Sequence, residues 1–151
     1  YLIPGGSQLT FWHGRPEVNL EVEPGSLGQY HQLFAGKADY PGPYDEEGIP
    51  RLDYHGKIGE QYNPIAIAQY GLGNYNLYVR SGDSDRKGKF LRVASWLLDN
   101  RETSPAGTRV GNHDFDWEYR DVLWSPWFSS LNSFFRVCLP TLVHFDGVVY
   151  P

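Results

Sequence analysis

The sequence predicts a mainly α-helical chain: an αα-hairpin that opens an incomplete αα-toroid, behind an irregular and partly β N-terminal segment. Three observations predict it. Ile65, Ala68, Leu72, Tyr75 and Val79 recur at the spacing of one helical stripe behind an Asn63-Pro64 start. Phe90, Val93, Ala94 and Leu97 form a second stripe after a short Ser81-Gly82 break, which predicts two helices joined as a hairpin. Ser125-Pro126 reads as the cap and first residue of a third helix that buries Trp127, Phe128, Leu131, Phe134, Phe135 and Cys138 and ends at Pro140.

On the first helix, from about 64 to 79, a second set, Ile67, Tyr70, Asn74 and Leu77, lines another side, so two faces want partners. A helix apolar on two sides is sandwiched between other elements. Gly71 and Gly73 each cost about 1 kcal/mol of helix propensity, which makes sense if something packs close to the backbone there. The second helix, about 84–100, is capped by Asp83 or Ser84, and Asp85 suits the positive end of its dipole.

Residues 1–60 form the lead-in segment and 61–151 the helical domain. Pro4-Gly5-Gly6, Pro24-Gly25 and Pro41-Gly42-Pro43 punctuate the lead-in. Between them, Glu17 to Glu23 alternates polar and apolar like a half-buried strand, and Ser26 to Phe34 suits a short helical turn. Tyr44 to Tyr54 reads as two extended arms around an Asp-Glu-Glu-Gly turn. Between the hairpin and Ser125, His113 to Tyr119 alternates strictly. If extended, it sends Phe115, Trp117 and Tyr119 one way and Asp114, Asp116 and Glu118 the other. Phe145 to Tyr150 holds an Asp-Gly turn.

Composition narrows the function. The 151 residues fit one domain able to bury a core, and the net charge of −5 comes without any basic run. Nucleic acid is therefore a poor partner. No apolar stretch reaches the roughly 20 residues of a membrane span. The single cysteine leaves no internal disulfide and no Cys-based zinc site. Eleven tyrosines lead an aromatic share of 16%, which suits wet interfaces and sugar clefts as well as core boundaries.

At Tyr62-Asn63-Pro64-Ile65-Ala66-Ile67-Ala68-Gln69-Tyr70-Gly71-Leu72 the chain resembles the C-terminal helical domain of the D-glucuronyl C5-epimerase family. Pro43 to Pro50, Phe115 to Tyr119 and Ser125 to Leu131 fit the same order, so the resemblance covers about residues 40–131. Phe128 stands where that family commonly has tyrosine, and the residues after Leu131 depart from its pattern. The chain therefore looks like the first part of such a domain, truncated or frameshifted. Helix faces left without neighbours would then favour self-association as a homo-oligomer.

The resemblance implies epimerisation of D-glucuronyl residues in a polysaccharide at C5, by proton abstraction and re-addition, with no metal or other cofactor. The alternative is a glycan-binding or inactive remnant module of the same family. Tyrosines are implicated in the family's proton transfers, so the resemblance marks Tyr62 and Tyr70 as the catalytic candidates. A phenol with a pKa near 10 must be tuned by cations to act as a base. Tyr70 suits the core equally well.

Arg51, His55 and Lys57 could meet a uronate carboxylate, reconciling an acidic chain with an acidic polysaccharide. Gln69 could bond a sugar hydroxyl or a loop carbonyl. Trp117 and Tyr119 could stack on sugar faces, as could Trp127. Each also has a plainer reading as surface or core. Asp114, Asp116 and Glu118 suggest Ca²⁺ or a hydrolytic carboxylate pair only weakly, because a solvated strand face explains them.

Overall fold

The computed structural model describes Trp12 and residues 17–22, 28–118 and 121–129. Among these the helices are α1 (Ala35–Ala38), α2 (Pro64–Ser81) and α3 (Ser84–Asp99). Four two-stranded antiparallel ladders accompany them. β1 (Leu52–Asp53) pairs with β2 (Glu60–Gln61), and β3 (Glu102–Thr103) with β4 (Arg109–Val110). β5 (Asn112–His113) pairs with β8 (Trp127–Phe128), and β6 (Trp117–Glu118) with β7 (Val122–Leu123).

This is a mixed α and β architecture, and it overturns the expected mainly α toroid. The decisive difference is at Ser125-Pro126. Trp127 and Phe128 do not open a third helix but extend along β5, with His113 opposite Trp127. A Ser-Pro start is a local signal, whereas here a ladder and a ring stack supplied by residues 112–113 hold the backbone extended. Over residues 17–22, the described part of the predicted Glu17–Glu23 strand, no half-buried strand forms either. This stretch makes one bridge, Val18 to Gln32, turns at Leu20 and Glu21, and leaves Val18, Leu20 and Val22 exposed. No helix forms over 28–34; α1 follows instead. The remainder of the predicted third helix beyond Ser129, with Cys138, and the Asp146-Gly147 turn lie outside the described residues, as do the Pro4-Gly5-Gly6 and Pro24-Gly25 punctuations.

The helical hairpin forms where the periodicity put it, because its ends are chemically specified. The Asn63 carboxamide oxygen accepts from the Ile65 and Ala66 amides at 3.0 and 3.1 Å, with Pro64 as the first helical residue. Gly82, at φ 71°, closes α2 by donating to the Tyr78 carbonyl. Asp83 then caps α3 through the Asp85 amide at 2.9 Å.

Ile67, Leu72, Phe90, Val93 and Leu97 are buried to 2% exposure or less between the helices and the loops around them. Each such side chain contributes about 1.5–3 kcal/mol of apolar burial. Tyr40, Ile49 and Leu52 join the same core, so residues before and after position 60 share it.

Both faces of α2 are covered, as its two apolar stripes require. One packs on α3 and the other on α1 and the preceding loop. Gly73 sits where that loop crosses. A β-carbon there would collide with the Phe34 carbonyl oxygen and lie 3.1 Å from the Ala38 nitrogen. The crossing is fixed by buried amides. Asn76 donates to the Gln32 and Leu33 carbonyls, each at 2.9 Å, and accepts from the Tyr30 amide at 2.6 Å. Asn74, fully buried, receives Arg86, whose guanidinium also reaches the Ala38 carbonyl and Asp39.

Candidate functional site

The chain between β2 and α2 separates two concave surfaces. Gln61 lines one and Tyr62 the other. The first is a groove of about 620 Å³, with His55, Lys57, Ile58 and Gln61 on one wall and Phe115, Asp116, Glu118, Val122 and Trp124 on the other.

The first wall is a turn between β1 and β2. Gly56 and Gly59 take positive φ of 57° and 63°, and His55 adopts φ 62°. That strained backbone is held by Asp53, which accepts from the His55 amide at 2.7 Å and meets its ring Nδ1 at 2.8 Å. The Gln61 carboxamide donates to the Ile58 carbonyl at 2.8 Å.

The opposite wall rests on an aromatic stack. Trp127 lies flat on His113, with centroids 3.8 Å apart and planes 2° from parallel, and stacks on Trp117 at 5.5 Å. Phe115 packs on Tyr54 at 4.7 Å, and its carbonyl accepts from the Trp127 indole at 2.8 Å. The Asn63 carboxamide that caps α2 also donates to the Tyr54 hydroxyl at 2.7 Å, so one side chain ties the helix start to this wall. Burial pushes the Tyr54 phenol above its ordinary pKa. Burial also drives the His113 imidazole down to about 4, and a backbone hydrogen bond at Trp127 only partly opposes it. Trp124 stands apart from the stack at 70% exposure.

On the other side of Gln61, the Tyr62 ring packs against Trp96 at 5.0 Å, and the Arg51 guanidinium lies 5.4 Å from its centre. The Tyr62 hydroxyl donates to Asp45. Burial, the bond to Asp45 and that carboxylate's charge push this phenol up to about 12, against a smaller opposing effect of Arg51. Burial alone would raise the Asp45 carboxyl. Hydrogen bonds from Ile49, Tyr62, Glu47 and Gly48 outweigh it and hold Asp45 below its usual range.

The structure gathers some predicted site residues and disperses others. His55 and Lys57 line the groove. Trp117 stands in the stack behind its wall. Arg51 and Tyr62 meet in the neighbouring cleft, where Arg51 also contacts Glu60 through its side chain at 3.5 Å and its carbonyl at 2.7 Å. Tyr70 lines neither surface: it is 3% exposed and faces the Tyr44 ring at 5.9 Å. Gln69 also stays out of both, its carboxamide oxygen enclosed without a hydrogen-bond partner. Tyr119 lies outside the described residues.

Sequence reasoning missed Asp45, Trp96 and Trp124. Asp45 and Trp96 come together only on folding. Trp124 had one local signal, a large aromatic in a turn-rich stretch between two short strands.

Among the described residues no group of three or more His, Cys, Asp or Glu side chains assembles that could hold a metal ion. Within the same residues, no helix is long and apolar enough to cross a membrane. No family model, curated protein or solved structure matches the chain.

Proposed function

We propose that this chain is a glycan-binding module, related in its helix motif to uronyl C5-epimerases, that takes an acidic, uronic-acid-containing polysaccharide in the groove. The observation that carries this reading is the exposed Trp124 indole in one open groove with Lys57 and His55. An indole face offers apolar area to the C–H face of a sugar ring. Lys57 can pair with a uronate carboxylate, and Gln61, Asp116 and Glu118 can bond ring hydroxyls. A rim ion pair is worth at most about 1 kcal/mol, so affinity for one sugar is weak and grows along a polymer.

C5 epimerisation, the other function the resemblance implies, needs a base and an acid on opposite faces of one sugar. A Tyr62 phenol raised to about 12 stays protonated at neutral pH, so the phenolate that would serve as the base is not populated. Tyr70, the other candidate, is buried against Tyr44. Binding without turnover is therefore the function this geometry supports best.

Titration with glucuronic-acid oligosaccharides, followed by NMR shifts of the backbone amides, tests the reading. Trp124→Ala and Lys57→Gln should each weaken binding about fivefold, with circular dichroism unchanged. Failure to bind, or an affinity in both variants equal to that of the parent, removes it. The same mixture in D₂O should leave C5 without deuterium; incorporation would establish the epimerase instead.

A further inference from the structure

Three adjoining hollows meet at Trp96, on the Tyr62 side of the Gln61–Tyr62 backbone. They measure about 250, 490 and 450 Å³, and Trp96 and Asn100 line all of them. Together they form a trough whose aromatic floor is the Tyr62–Trp96 pair. Six carboxylates border it, Asp45, Glu46, Glu47, Asp99, Glu102 and Asp114, against the two guanidinium groups of Arg92 and Arg101. The whole chain carries −5, so most of its excess negative charge gathers around this one concavity.

The end of α3 sharpens that field. Asp99 occupies the last turn, and no basic residue does. The negative end of the helix dipole and the Asp99 carboxylate therefore reinforce each other where a cation would be favoured. Folding gains nothing from that arrangement; an incoming cation does. The Tyr62 ring of that floor already meets one cation, the Arg51 guanidinium 5.4 Å from its centre.

We propose that this trough docks a partner protein through an extended segment bearing lysine or arginine. Uronates and nucleic acids are repelled by the same carboxylates. An extended peptide places alternate side chains on one side about 7 Å apart, so successive basic side chains can enter adjoining hollows with Trp96 between them. This surface is distinct from the glycan groove, and the proposal stands whether or not the groove binds sugar.

Fluorescence anisotropy of a labelled Lys-Ala-Lys-Ala-Lys peptide tests it on the intact chain. Binding is expected at low ionic strength and should weaken as salt rises, while a Glu-Ala-Glu-Ala-Glu peptide should not bind. Trp96→Leu leaves the charge unchanged and should weaken binding at least about fivefold. Because Trp96 packs partly against the core, Glu46→Gln with Glu47→Gln on the exposed turn provides a second test and should weaken binding by a similar factor. Neutralising Glu21 and Asp121, outside the trough, should change it less than about twofold. The proposal fails if the basic peptide does not bind or if both trough variants bind like the parent. It fails equally if the outside pair weakens binding as much as the trough pair.

Discussion

The Tyr62 hydroxyl donates to Asp45 Oδ2 at 2.7 Å. The same Asp45 carboxylate accepts from the Glu47 and Ile49 amides at 3.0 and 2.8 Å through its other oxygen. A turn and a ring are therefore fixed by one side chain. The arrangement sets where the Tyr62 face meets Trp96, and it holds the phenolic proton in place.

The raised Tyr62 pKa has a definite pH signature. The folded state keeps the proton up to about 12, whereas an unfolded tyrosine loses it near 10. The bond's contribution is fully present below pH 10 and is lost as pH rises towards 12. Tyr62 is 36% exposed, so solvent screening keeps this contribution to about 0.5–1 kcal/mol. Tyr62→Phe should lower stability by that amount in urea unfolding at pH 8. Ultraviolet difference titration should lose one late-titrating phenol. Identical titrations for parent and variant would contradict the assignment.

His113 predicts the opposite slope at the acid end. It is 1% exposed, its Nδ1 has no hydrogen-bond partner, and its folded pKa falls to about 4 against an ordinary 6.5. The unfolded chain therefore binds this proton first. Stability is intact above pH 6.5 and declines as pH falls towards 4, by on the order of 3 kcal/mol. His113→Phe can keep a ring on Trp127 and should flatten that decline. Urea midpoints at pH 7 and pH 4.5 measure it, and an unchanged difference between the two would count against a buried neutral imidazole.

Two glycines on the helical hairpin should respond in opposite directions to alanine. Gly73→Ala forces a methyl into the Phe34 carbonyl and should cost about 1–3 kcal/mol as the crossing is pushed apart. Gly88 in α3 has nothing within 4 Å of an added β-carbon, so Gly88→Ala should gain about 0.5–1 kcal/mol of helix propensity. Thermal unfolding of the two variants against the parent decides both signs.

The hairpin was legible because its information is local. Asn63, Gly82 and Asp83 act within four residues of where they stand, and the stripes at Ala68, Leu72 and Tyr75 and at Phe90, Val93 and Leu97 need only periodicity. The Asp45–Gly48 turn was legible for the same reason. Ser125-Pro126 was not, because its outcome is decided by the pairing of Trp127 with His113 across fourteen positions of chain. Two-residue ladders are also too short to leave an alternation that sequence can display. His55 and Lys57 reach the groove on a turn marked by Gly56 and Gly59, whereas nothing in the sequence joins Tyr62 to Trp96.

Asn76 holds the loop of residues 28–33 with three side-chain hydrogen bonds, and its carbonyl accepts a fourth from Gln29 at 3.1 Å. Among the described residues the ladder pairing of that loop is one isolated bridge, between Gln32 and Val18. Its lifetime is therefore borrowed from α2: backbone groups at Tyr30, Gln32 and Leu33 are shielded for as long as the central helix stays wound. Breathing of the loop and fraying of the helix become one event, and the smallest cooperative unit of this part of the molecule runs across more than forty residues of chain.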